Sequence, residues 1–252
     1  MINISDLEAS ITDKTILISI MHSNNEVGTI QAIKEISKIT HKHEIILHTD
    51  ASQSIGKSII DVKELDIDLL TIAGHKLYAP KGIGALYIRN NLILEKIIHG
   101  ANHENDRRAG TENVLGIIGL GKACEIIKNN IDKHIRHLKE LKDFLYSGLN
   151  DKLADIKING HPQHCLPNTL SLSILGIESN VLLSEIEKFV STSGGSACHS
   201  GNSKISGVLQ AMNIPIEWAK GTIRLSVGRM TTEEEIERAI ELIYKAVIKI
   251  RK

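Results

Sequence analysis

The chain has 252 residues, with 30 lysines and arginines balanced by 30 aspartates and glutamates, 42% hydrophobic residues and 3% aromatic ones. That length and balance allow one large or two modest globular cores and exclude disordered, collagen-like and coiled-coil chains. A net charge of zero supplies no long-range field for nucleic acid or an anionic membrane, so neither is expected as a partner.

In chain order, residues 15–21 are apolar apart from Ser19 and Thr15 and read as a strand buried on both faces, and residues 31–41 then put Ile33, Ile36 and Ile39 on one helical stripe. Residues 44–48, 69–73 and 84–88 read as further strands, with a short helix at 62–65. This alternation predicts an α/β domain with a largely parallel sheet. From Val114 the pattern changes to two long helices, about 114–127 and 131–149, the second carrying Ile135, Leu138, Leu141 and Leu145. Residues 168–174 alternate as a strand, 181–189 are helical and 222–227 form a strand. The last helix opens with Thr232 and Glu235 and repeats Ile236, Ile240, Ile243, Val247 and Ile250. The expected division is a sheet domain at 1–129 and a smaller α+β domain at 130–252.

No apolar run reaches the roughly 18 residues that span a bilayer, and residues 1–10 lack a signal-peptide pattern, so a cytoplasmic location is expected. Three cysteines leave at least one thiol free. Cys124 lies amid Ile117, Leu120, Ile126 and Ile127 and is expected to be a small core residue. Cys198 falls in a Ser- and Gly-rich stretch, 191–203, beside His199, and is expected on a mobile, exposed loop. His161, His164 and Cys165 are closely spaced but lack a second cluster to complete four metal ligands. Gly194, Gly195 and Gly201 do not follow a strand as a nucleotide loop does.

In open α/β sheets ligands bind beyond the carboxyl ends of the strands. Three polar groups stand there: His22–Gly28 after the first strand, Thr49–Gln53 after the second, and Gly74-His75-Lys76 after the third. A lysine at the mouth of an apolar sheet is a candidate Schiff-base amine, and an aspartate beside it suits a cationic ring nitrogen. Together they have the character of a pyridoxal phosphate site.

Six segments carry a family resemblance: His-Ser-Asn-Asn-Glu-Val-Gly at 22–28, His-Thr-Asp-Ala-Ser-Gln at 48–53, Gly-His-Lys-Leu-Tyr-Ala-Pro-Lys-Gly-Ile-Gly at 74–84, Arg-Ala-Gly-Thr-Glu-Asn at 108–113, Ser-Gly-Gly-Ser-Ala-Cys at 193–198 and Ile-Arg-Leu-Ser-Val-Gly-Arg at 223–229. In that order they resemble the cysteine desulfurases of NifS and IscS type, within the class V aminotransferases. The resemblance implies a pyridoxal-phosphate-dependent transferase fold of type I, with a mostly parallel large-domain sheet and a C-terminal α+β domain bearing the sulfur-accepting cysteine. It implies that Lys76 binds the cofactor aldehyde, that Asp50 pairs with the pyridine nitrogen, that Asn25 and Gln53 hydrogen-bond the ring oxygen and that His75 reaches the phosphate. Thr111 would cross to the neighbouring subunit's phosphate in a homodimer, Arg224 would clamp the carboxylate of L-cysteine, and Cys198 would take the sulfur as a persulfide. The sulfur would go to an acceptor such as an iron–sulfur scaffold or a thio-cofactor pathway.

The sequence also departs from that family. Met1 aligns with the middle of the large domain, so roughly the first third is expected to be absent, including the Gly/Thr phosphate loop and the histidine that stacks on the ring. Ala73 stands where many members have serine, and Gly100-Ala101-Asn102-His103-Glu104 replaces a Gly-rich segment. Three readings stay open: a cysteine desulfurase, completed where necessary by a complementing N-terminal chain; a non-catalytic desulfurase-like remnant or subunit; and a selenocysteine lyase-like enzyme.

Overall fold

The computed structural model describes residues 1–194, 196–197 and 204–252, excepting the side chains of 196, 197 and 204. Cys198, with its expected loop setting, lies outside the described residues. Residues 1–23 and 31–131 form one unit, and residues 24–30 and 132–252 form a second.

The first unit begins with α1 (Ile4–Ala9), capped by the Asn3 side chain, which accepts from the Ser5 and Asp6 N–H groups. Strand β1 (Leu17–Met21), helix α2 (Ile33–Lys42) and strands β2 (Ile46–Asp50), β3 (Leu69–Ala73) and β4 (Gly84–Ile88) follow. The sheet order is β1-β2-β3-β4. The first three strands are parallel, with Met21 opposite Asp50 and Asp50 opposite Thr71, and β4 runs antiparallel to β3. Alternate residues Ile18, Leu47 and Leu70 join Ile33 and Ile36 of α2 in one core cluster. Ile36 and Leu47 are 0% exposed, and such burial contributes about 1.5–3 kcal/mol for each side chain.

The other face of this sheet carries Leu17, Met21 and Leu86, each more than 40% exposed. The first strand is therefore buried on one face, not both. Residues 62–65 form a hydrogen-bonded turn instead of the expected helix. The Asp61 carboxylate takes the Lys63 and Glu64 N–H groups, and Asp66 at φ 54° ends the turn after one cycle.

The expected pair of helices is a single one, α3 (Val114–Lys152). Asn130 does not interrupt it, because its side-chain amide donates back to the Ile126 carbonyl at 2.8 Å. On its first part Leu120 and Ala123 are buried with Leu77, and Ile127 packs beside them. That stripe leaves Cys124 one position out of register and exposed, contrary to the expected core placement. Partial burial nonetheless raises the Cys124 thiol above its ordinary range.

The second unit holds strands β5 (Ile156–Asn159) and β6 (Thr169–Ile174), helix α4 (Ser179–Ile186) and the two-residue strands β7 (Ser193–Gly194), β8 (Ser196–Ala197) and β9 (Lys204–Ile205). Helices α5 (Gly207–Ala211) and α6 (Ile216–Ala219), strand β10 (Thr222–Ser226) and helix α7 (Glu233–Ile250) complete it. The antiparallel sheet has the order β5-β6-β10-β7, and β8 pairs with β9. The stretch expected to be all loop thus contributes short strands within 191–203.

Every residue of β6 is buried, where alternation of exposure was expected. Leu170, Leu172 and Ile174 enter the core built by Leu138, Leu141, Leu145, Ile240 and Val247. Ser173 on the opposite face is bonded by Asn159 Nδ2 at 2.8 Å and shares a 2.7 Å bond with Thr222. The alternation is thus apolar against polar, with both sides covered. Helix α7 opens with a reciprocal capping box between Thr232 and Glu235, which satisfies two N–H groups that the helix itself cannot.

Candidate active site

Parallel pairing of β2 with β3 puts Asp50 and the segment after Ala73 at the same edge of the first unit's sheet. Asp50 is the last residue of β2, and its neighbours continue the ladder: His22 N–H donates to the Asp50 carbonyl at 2.8 Å and Ala51 N–H to the Thr71 carbonyl at 3.0 Å. Its carboxylate Oδ1 accepts from Ser52 N–H at 2.8 Å. No cation pairs with that carboxylate among the described residues.

After β3 the chain makes one 3-10 turn, Gly74–Leu77. Leu77 is buried in the cluster with Leu120, while His75 and Lys76 are exposed between two buried residues. Gly74 N–H donates to the Ile83 carbonyl at 2.9 Å, so closely that a Cβ at Gly74 would stand 2.6 Å from that oxygen. Tyr78 at φ 67° closes the turn. The backbone therefore holds Lys76 from both sides while leaving its amine without an acidic partner among the described residues.

Two residues of this edge, His48 and Lys57, were given no role by sequence reasoning, and His22 was read only as part of the polar segment 22–28. His48 bridges β1 and β3, with Nδ1 2.7 Å from Ser19 Oγ and Nε2 2.9 Å from Thr71 Oγ1. Burial lowers its pKa, and the Asp50 charge acts against that. His22 is 4% exposed and its Nδ1 lies 2.8 Å from Ser54 Oγ, so burial lowers its pKa too. Lys57 donates to the Gln53 carbonyl at 2.9 Å; burial, with the Lys76 charge adding to it, brings its pKa down to about 8. The signal available for His48 was register, since Ser19 and His48 are directly opposite. For Lys57 there was none. Gln53 itself is half-buried in the turn after β2, and Thr111 is exposed between β4 and α3.

Asn25 belongs to the second unit, although it follows β1 in sequence. Its carbonyl accepts from Arg224 Nη1 at 2.8 Å. Arg224 lies on β10 opposite Ser171 and Ser193 and has no carboxylate partner among the described residues. His161 Nδ1 accepts from the Gln163 and His164 N–H groups, and Cys165 faces Lys142 Nζ at 3.6 Å, so these residues are engaged in local structure.

The donor set of the first unit fits pyridoxal phosphate. An amine on a pinned turn meets the demand of the aldehyde, and a carboxylate on the adjacent strand end, with no cation paired to it among the described residues, meets that of a protonated ring nitrogen. Arg224, within the second unit, carries a guanidinium of the planar form that recognises carboxylates bidentately. No described helix is long and apolar enough to cross a membrane.

The family model for class-V aminotransferases matches residues 1–239. The cysteine desulfurase IscS of Methanosarcina thermophila is 46% identical over 252 residues, covering 100% of this chain and 62% of that protein. The IscS of Dictyoglomus turgidum is 44% identical over 247 residues, covering 98% of this chain and 63% of its own length. A solved NifS-like protein from Rickettsia africae is 31% identical and superposes with a TM-score of 0.89, covering 98% of this chain and 67% of that one. The chain thus spans about 62% of the length of the curated relatives it matches. The fold is that of the pyridoxal-phosphate-dependent transferases of type I, and on the match along nearly its whole length the chain belongs to the class-V aminotransferase family.

Proposed function

We propose that this protein acts as a pyridoxal-phosphate-dependent cysteine desulfurase, converting L-cysteine to L-alanine and leaving sulfur as a persulfide on Cys198. The observation that carries this reading is the Asp50 carboxylate and the pinned Lys76 at neighbouring parallel strand ends, neither in an ion pair among the described residues. The names of the relatives support the substrate.

When bound, the cofactor supplies an electron sink for negative charge developing beside the substrate amine. Lys76 would hold its aldehyde, and its amine would be the base placed to take the Cα proton of the substrate. Asp50 keeps the ring nitrogen protonated, Asn25 and Gln53 hydrogen-bond the ring oxygen, and His75 reaches the phosphate. Thr111 serves the neighbouring subunit's phosphate in a homodimer. Arg224 orients the substrate through its carboxylate.

The Cys198 thiolate attacks the substrate sulfur. An S–S bond forms and the Cβ–S bond breaks, with its electron pair remaining on carbon and taking a proton to become the alanine methyl group. Carbon gains the two electrons that the two sulfurs give up, so no outside oxidant is needed. The persulfide then passes its sulfur to an acceptor protein, in the supply of iron–sulfur clusters or thio-cofactors.

The test is alanine formation and sulfide release from L-cysteine with added pyridoxal phosphate. Lys76→Ala is expected to abolish both together with the visible absorption of the bound cofactor. Cys198→Ala is expected to keep the absorption and lose sulfur transfer. Absence of turnover in the unmodified protein, or turnover that survives Lys76→Ala, would overturn the reading.

A further inference from the structure

Residues 24–30 are tied into the second unit by a dense set of bonds. Asn24 Oδ1 accepts from the Glu26 and Val27 N–H groups at 2.8 and 3.0 Å, and Asn24 N–H donates to the Thr29 carbonyl. Leu166 N–H donates to the Gly28 carbonyl at 2.8 Å, and His161 N–H donates to Thr29 Oγ1 at 3.1 Å. Gly28 at φ 73° lies where a Cβ would meet the Thr169 side chain at 3.1 Å, so the turn needs glycine there.

Two side chains from far along the chain meet this segment at adjacent residues. Arg224 Nη1 donates to the Asn25 carbonyl, which is the peptide group that joins Asn25 to Glu26. The Glu26 side chain starts two bonds from that carbonyl carbon, so a carboxylate capable of neutralising Arg224 is built into the same turn. It is engaged elsewhere: Ser206 Oγ donates a hydrogen bond to Glu26 Oε2 while accepting from Val208 N–H at 3.0 Å. Among the described residues, neither Arg224 nor Glu26 takes part in an ion pair.

We propose that Ser206 is a positioning residue that holds the Glu26 carboxylate away from Arg224, keeping the guanidinium open for the carboxylate of an incoming amino acid. An arginine oriented only by a backbone carbonyl keeps its full charge, whereas one paired with glutamate would have to break that pair to bind substrate. The pair Glu26–Ser206 thus sets carboxylate affinity through Arg224 without touching the ligand. This rests on the assignment of Arg224 to substrate binding made above.

The experiment compares the unmodified protein with Ser206→Ala and with Ser206→Ala/Glu26→Gln. One readout is the rate at which phenylglyoxal modifies Arg224, followed by peptide mass spectrometry, which needs no cofactor. The other is the KM and kcat for L-cysteine in the cofactor-loaded protein. Ser206→Ala is expected to slow Arg224 modification at least fivefold and to raise KM at least fivefold, with kcat changed less than twofold. The double variant is expected to recover both, because its residue 26 has no charge to offer Arg224.

Recovery distinguishes this role from loss of the α5 cap, since Glu26→Gln does nothing to replace the Ser206 hydroxyl at Val208. An unchanged modification rate in Ser206→Ala, or a double variant as impaired as the single one, would overturn the proposal. If the unmodified protein fails to turn over L-cysteine, the functional reading falls, and the phenylglyoxal rates still decide the placement of Glu26.

Discussion

Lys57 carries a charge ill suited to its surroundings. It has no acidic partner among the described residues, its one hydrogen bond goes to the Gln53 carbonyl, and burial with the Lys76 charge brings it from 10.5 to about 8. Between those two pH values the unfolded chain holds a proton that the folded chain has released, so folding stability rises with pH across that window. Below pH 8 the full penalty of a buried ammonium is present. Lys57→Met keeps the length of the side chain and removes the charge, and is expected to stabilise the protein by about 1–2 kcal/mol at pH 7, allowing for residual solvation. Thermal melts at pH 7 and pH 10.5 check this: the gain should shrink to nothing at the higher pH, and a variant less stable than the parent at pH 7 would show that the bond to Gln53 outweighs the buried charge.

Among the elements, the 3-10 turn Gly74–Leu77 governs where Lys76 can be, and its tolerance is small. Gly74→Ala would put a methyl group 2.6 Å from the Ile83 carbonyl oxygen, a backbone atom that cannot move aside alone. Overpacking of this kind costs about 1–3 kcal/mol, and here it would also displace the turn. The variant is expected to melt lower by that amount and to bind pyridoxal phosphate at least tenfold more weakly, as read by titration of the visible absorption. The position of this turn was legible in the sequence, because an apolar run ending at Ala73 and then Gly-His-Lys marks a strand end. Asp50 was legible in the same way, and the Thr232–Glu235 box announced α7. Other features depended on contacts that no local pattern records. Residues 24–30 follow β1 without a break, and contacts with residues far along the chain, among them Leu166, His161, His164, Ser206 and Arg224, assign them to the second unit. Asn129 and Asn130 look like a helix break until Asn130 returns its amide to Ile126. Cys124 looked like core because its neighbours are apolar, yet Ile117 and Ile118 are themselves exposed.

At the scale of the whole molecule, charge balance makes acid the revealing perturbation. The 30 basic and 30 acidic groups cancel near neutrality, and twelve histidines stand ready to add positive charge as pH falls. Three of them, His22, His48 and His134, resist protonation in the folded state chiefly because burial disfavours their charged form. The sign follows directly: below about pH 6.5 the unfolded chain takes up protons that these folded-state rings refuse, so stability is lost as pH falls. Each ring that stays wholly neutral contributes a slope of up to about 1.4 kcal/mol per pH unit. His22 is the most enclosed and is buried against Ser54, so it should contribute the largest share. Acid sensitivity in the protein should therefore set in near pH 6, above the range in which carboxylates protonate. Denaturant melts between pH 7 and pH 5 are expected to show this loss, and His22→Gln should lower stability at pH 7 while flattening the slope by close to one proton. A slope identical in the variant and the parent would place the proton uptake at other histidines and leave His22 without a part in acid unfolding.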